Sequence, residues 1–163
     1  MRIALQDLVS IHPALRGHPI EFTKSGGFAL QRAGHASPAS AEIEHDGALK
    51  TAEVEWTMED IALLNVLDKH RVTEDGAEAV ALAYVNSDAG WKVKRRLQRG
   101  ECADWLLRNE TGWLALEVSG TIVGNPRARL EEKKTQVSRC SLAVDRLAVV
   151  VAFDKPAVLA ARP

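Results

Sequence analysis

The chain has 163 residues, of which 46% are hydrophobic and 26% charged, and a formal net charge of −1. Those shares describe a globular protein with a sizeable core and exclude disordered and collagen-like classes. No apolar run approaches the roughly 18 residues of a membrane span. The N-terminus carries no signal-peptide pattern, and Cys102 and Cys140 have no metal-site spacing, so the expected setting is a reduced cytoplasm.

The small net charge hides a split. Residues 1–90 carry 7 Lys and Arg against 14 Asp and Glu, whereas residues 91–163 carry 14 against 8. A positive half that also holds acidic residues suits a polyanionic partner. The acidic half could receive a protein partner, and a homodimer is compatible with both.

In chain order, Pro13 and Pro19 interrupt any long element in the first 20 residues, and His12 and His18 read as surface residues. From Glu21 to Glu55 the pattern reads as strands. Phe22, Phe28 and Leu30 flank an expected turn at Lys24-Ser25-Gly26-Gly27. Residues 41–45 alternate, Asp46-Gly47 turns the chain, and alternation resumes to Trp56. The outer face carries Glu42, Glu44, Glu53 and Glu55, which suits a solvated strand face better than a metal site. Thr57 caps an expected helix over Ile61 to Leu67. Thr73 opens a second helix, with Ala77, Val80, Ala81, Tyr84 and Val85 on its apolar arc and Glu78 at the rim. Residues 91–98 read as a strand that presents Lys92, Lys94 and Arg96 on one face.

The next stretch, from Gly100 to Gly120, reads as a hairpin closed by Asn109-Glu110-Thr111-Gly112, with Gly112 supplying positive φ. If Asn109 faces Gly112, Asp104 lies opposite Glu117. Like charges at a cross-strand pair repel, and a divalent cation between them relieves the repulsion, because hard cations prefer carboxylate oxygens. Apolar residues surround Glu117 on its strand, so its burial needs a partner or a metal. Asn125-Pro126 then starts a helix to about Ser138, with Leu130 and Val137 on its buried line and Lys133, Lys134 and Gln136 near that line. Residues 146–153 form a buried strand that returns parallel to the sheet. Residues 157–163 carry no clear chemistry.

This order of helix, three strands, helix and strand resembles the core of the PD-(D/E)xK nuclease superfamily, the restriction-endonuclease-like fold, over about residues 73–153. Gly100 to Asp104 resembles the approach to the family's metal aspartate, and Leu116-Glu117-Val118-Ser119 resembles its (D/E)-x-K strand. Gln136 resembles the glutamine motif of some branches, and Glu78 resembles the acidic residue of the first core helix. Ser119 stands where the family keeps lysine; Lys133, with Lys134 second, is the candidate for a lysine that has moved to the helix. The resemblance implies an α/β fold: a restriction-endonuclease-like αβββαβ core (73–163) with an N-terminal β-rich and helical extension (1–72), together one structural domain. It implies a metal-dependent nuclease in which Asp104, Glu117 and Glu78 hold Mg²⁺ or Mn²⁺. Lys133 and Gln136 would assist catalysis, and Lys92, Lys94, Arg96 and Lys134 would contact DNA or RNA backbone. Two other readings stand beside it. One is a nuclease-like fold without catalysis that serves as a protein- or nucleic-acid-binding module; the other is a plain α/β domain in which Lys133 neutralises Glu117 as a buried ion pair.

Overall fold

The computed structural model describes residues 1–60, 62 and 67–163. Eight strands form one mixed sheet: β1 (Arg2–Ala4), β2 (Ala39–His45), β3 (Ala48–Glu55), β4 (Lys92–Arg96), β5 (Trp105–Arg108), β6 (Trp113–Thr121), β7 (Asp145–Ala152) and β8 (Ala157–Ala161). Their order across the sheet is β1-β3-β2-β8-β7-β6-β5-β4. The pairs β1/β3, β2/β8 and β6/β7 are parallel and the rest antiparallel. Among the described residues the helices are α1 (Leu8–Ile11), α2 (Ile20–Arg32), α3 (Lys69–Ala89) and α4 (Pro126–Ser138). None is long and apolar enough to cross a membrane.

The fold is mixed α/β, as the sequence implies, and most of the central elements lie where the pattern places them. Asn125 caps α4 by accepting N–H bonds from Arg127 and Ala128, with Pro126 in the first turn. The α4 crossover returns β7 parallel to β6. Asp46 and Gly47 both take positive φ, 48° and 81°, as a tight hairpin turn requires. α3 starts before Thr73: Asp68 is its cap and accepts the Arg71 N–H. The helix expected over residues 61–67 lies largely outside the described residues.

Two expectations are corrected. Residues 20–32 are helix and not strands around a Gly26-Gly27 turn. The glycines serve close packing. A Cβ on Gly76 of α3 would lie 2.7 Å from the Ser25 carbonyl oxygen of α2, and one on Gly26 would lie 3.3 Å from the Gly76 oxygen. Tertiary approach therefore overrides local turn propensity. Residues 157–161 add β8, whose buried run Val158-Leu159-Ala160 bridges β7 and β2. Second, Gly112 does not take positive φ. The side-chain oxygen of Asn109 closes that loop instead, accepting from the amides of Thr111 and Gly112 and from the Thr111 hydroxyl.

Two layers flank the sheet. The larger core lies under α2 and α3, and holds Leu114, Leu116 and Val118 of β6 with Tyr84 and Leu82 of α3. Leu130 and Val137 of α4 cover the opposite face against Ala148, Val150 and Leu159. Successive β6 side chains alternate between these layers, which sends Glu117 and Ser119 toward α4. Gly120 lets α3 touch the strand, since a Cβ there would lie 2.5 Å from the Thr73 carbonyl oxygen. Gly120→Ala is expected to cost about 1–3 kcal/mol, and Gly112→Ala no more than about 0.5 kcal/mol, both read by denaturant unfolding.

Candidate active site

The site grows from the β5–β6 hairpin. Trp105 pairs with Leu116, Leu106 with Ala115, Leu107 with Leu114 and Arg108 with Trp113, which is the register expected from the sequence. Asp104 lies one residue beyond this ladder. Its amide donates to the Leu116 carbonyl at 3.0 Å, and its Oδ2 accepts the Val118 N–H at 2.8 Å. The carboxyl therefore folds back over β6, where its charge acts on Glu117. The two carboxyls meet on the α4 side, although Asp104 is not in the ladder position that a simple hairpin assigns.

Glu117 is 1% exposed. Its Oε1 accepts from Lys133 Nζ at 2.5 Å, and Lys133 also donates to Gln136 Oε1 at 3.1 Å. Thus α4 delivers to the buried carboxylate the lysine and glutamine that the sequence singles out. Lys134 goes elsewhere: it pairs with Glu131 on its own helix, at 3.1 Å. Glu117 Oε2 is buried with no donor.

Glu78 approaches from α3, on the other layer. Arg96 donates to its Oε1 at 2.8 Å and the Trp105 indole N–H to its Oε2 at 2.9 Å. The Arg96 guanidinium also stacks over the Trp105 ring, 5.0 Å from its centre. Both Glu78 oxygens are engaged, and the Asp104 charge reaches Glu78 electrostatically. Arg96, expected to face nucleic acid, is here the counter-ion of Glu78.

Burial dominates the site's electrostatics. It pushes the Glu78 carboxyl up to about 7, with Arg96 opposing and Asp104 adding to the rise. Burial and the Asp104 charge push Glu117 up to about 7 against the pull of Lys133. Burial also raises Asp104, opposed by the Val118 N–H and by Lys133. These groups hold protons more tightly than ordinary carboxyls, a pattern common at functional sites.

No group of three or more His, Cys, Asp or Glu side chains with metal-holding geometry occurs among the described residues. The chemistry of Asp104 and Glu117 nevertheless fits a hard divalent cation: the donors are carboxylate oxygens, and one of them is buried without a partner.

Lys92 and Lys94 are exposed on β4, at the sheet edge. Lys92 stands opposite Arg108 on β5, which stacks on Trp113. An open groove beside them is lined by Lys92, Lys94, Arg108 and Asn109. A bulge between Val93 and Arg95 breaks the expected strand parity and frees Arg95 to pair with Glu101 at 2.7 Å. His12, expected at the surface, is fully buried; its ring joins the Leu82 carbonyl at 3.0 Å and the Val93 amide at 3.2 Å. The sequence reading did not assign two contacts, the Trp105 indole on Glu78 and Arg129 on Ser119. Helical spacing could have found the second, since Arg129 lies one turn from Lys133.

No family model, no curated protein and no solved structure matches the chain.

The pH dependence of stability follows from the raised carboxyls. Between the ordinary glutamate value of 4.5 and about 7 the folded state binds more protons than the unfolded state. The stability contributed by these protons is present at low pH and lost as pH rises through that window. Without divalent metal, the urea midpoint should fall from about pH 5 to about pH 8, and Glu117→Gln should flatten part of the slope. Circular dichroism across that range checks both.

Proposed function

We propose that this protein is a metal-dependent nuclease of the PD-(D/E)xK type, which hydrolyses phosphodiester bonds of DNA or RNA in the cytoplasm. The observation that carries the reading is the convergence of Asp104, Glu117 and Lys133 on one sheet face, with one Glu117 oxygen buried and without a donor. The succession α3, β4, β5, β6, α4, β7 supports a restriction-endonuclease-like core. The N-terminal strands extend that core through the β2/β8 pair.

In this reading Asp104 and Glu117 would hold Mg²⁺ or Mn²⁺. Glu78, bound by Arg96 and Trp105, would act on them through its charge. A bound metal would polarise the phosphate and make a water acidic enough to attack it. The chain's own groups supply the rest. The Val118 N–H fixes the Asp104 carboxylate. Lys133 is positioned to stabilise charge developing on phosphate oxygens, and Gln136 orients Lys133. Lys92, Lys94 and Arg108 supply a basic edge that would hold backbone phosphates without reading sequence.

A second reading has its own support. Lys133 already neutralises Glu117, and Arg96 and Trp105 already satisfy Glu78. The same scaffold could therefore be a binding module without catalysis. Incubation with plasmid, linear DNA and RNA in Mg²⁺ or Mn²⁺ separates the two. Asp104→Asn and Glu117→Gln should each lower cleavage by at least about 100-fold. Absence of cleavage by the unaltered protein, together with no metal binding by calorimetry, would overturn the nuclease and favour the binding module.

A further inference from the structure

Ser119 lies two residues beyond Glu117 on the same face of β6, and is 7% exposed. Its hydroxyl oxygen accepts from Arg129 Nε at 2.6 Å. Arg129 is half-buried on α4, one turn before Lys133. Side chains at that spacing are neighbours on a helix surface, so Arg129 and Lys133 stand one turn apart on the α4 side that meets Ser119 and Glu117.

Their charges are balanced differently. Lys133 is paired with Glu117, Arg96 with Glu78, Arg127 with Glu44 and Lys134 with Glu131. Arg129 is held by a neutral hydroxyl, and among the described residues no carboxylate forms a salt bridge with it. The bond from Nε fixes the guanidinium plane and leaves both terminal amino groups to donate. That fork matches two oxygens of a phosphate. A half-buried cation one turn from Lys133, anchored without a counter-ion, is arranged to receive an anion.

We propose that Arg129, oriented by Ser119, is the phosphate clamp of this site, and that it binds a backbone phosphate of the nucleic-acid strand next to Asp104 and Glu117. The inference rests on the nucleic-acid reading above and names the group that seats the strand. Arg129 touches the ligand, and Ser119 acts through Arg129.

The test uses fluorescence anisotropy of a single-stranded oligonucleotide, without divalent metal, on the full chain across a salt series. Each phosphate contact contributes about 0.7 to the log–log salt slope for single strands. Arg129→Ala should weaken binding by about 10-fold and lower the slope by about one contact. Arg129→Lys should keep the slope. Ser119→Ala should weaken binding by about 2–3-fold with the slope unchanged, and should add nothing in the Arg129→Ala background. Unchanged melting temperatures exclude a folding defect, and Arg129→Lys still reports on the charge if Arg129→Ala unfolds. If the unaltered protein binds the oligonucleotide and Arg129→Ala keeps its affinity and slope, the clamp is overturned while the nucleic-acid reading stands. If the unaltered protein neither binds nor cleaves nucleic acid, both fail. Binding with the expected slope change but no cleavage supports the clamp and removes only the catalytic part of the proposed function.

Discussion

A fully buried carboxylate is the constraint on which the centre of the molecule depends. Glu117 sits mid-strand between two apolar layers, where an isolated charge is strongly disfavoured. Lys133 answers one of its oxygens from α4. That dictates where α4 must cross the sheet, and Leu130 and Val137 seat the helix there. Such a pair adds little net stability, but removing one partner strands the other.

A second constraint is steric. The two layers reach the site because glycine permits contact between backbones: Gly76 against Ser25 where α2 meets α3, and Gly120 against Thr73 where α3 meets β6. α3 lies low enough on the sheet for Glu78 to reach the Trp105 indole, beside the residue that bears the other carboxyl. Close packing on one face is thereby coupled to charge placement on the other.

Periodicity and capping made much of this legible. The β5–β6 register, the Asn125 cap and the Lys133–Gln136 line were all readable from residue order, because alternation and the 3.6-residue repeat determine which side chains share a face. The failures have physical causes. Gly26-Gly27 carries the same local signal as a turn, and only the neighbouring helix shows its use. The fold-back of Asp104 depends on a side-chain bond to the Val118 amide that no pattern encodes. The pairing of Arg96 with Glu78 required the fold of both layers.

β8 has one more consequence. It lies between β7 and β2, and Glu42 pairs with Ala157. Among the described residues, the β1–β3–β2 segment therefore meets the central strands of the sheet through β8, from the far end of the sequence. Its edge stays open until that late strand arrives. Contacts so distant in sequence slow folding and leave strand edges exposed while the chain waits. Glu42 and Glu44 of β2 place like charges along that edge, where they discourage pairing with a second copy.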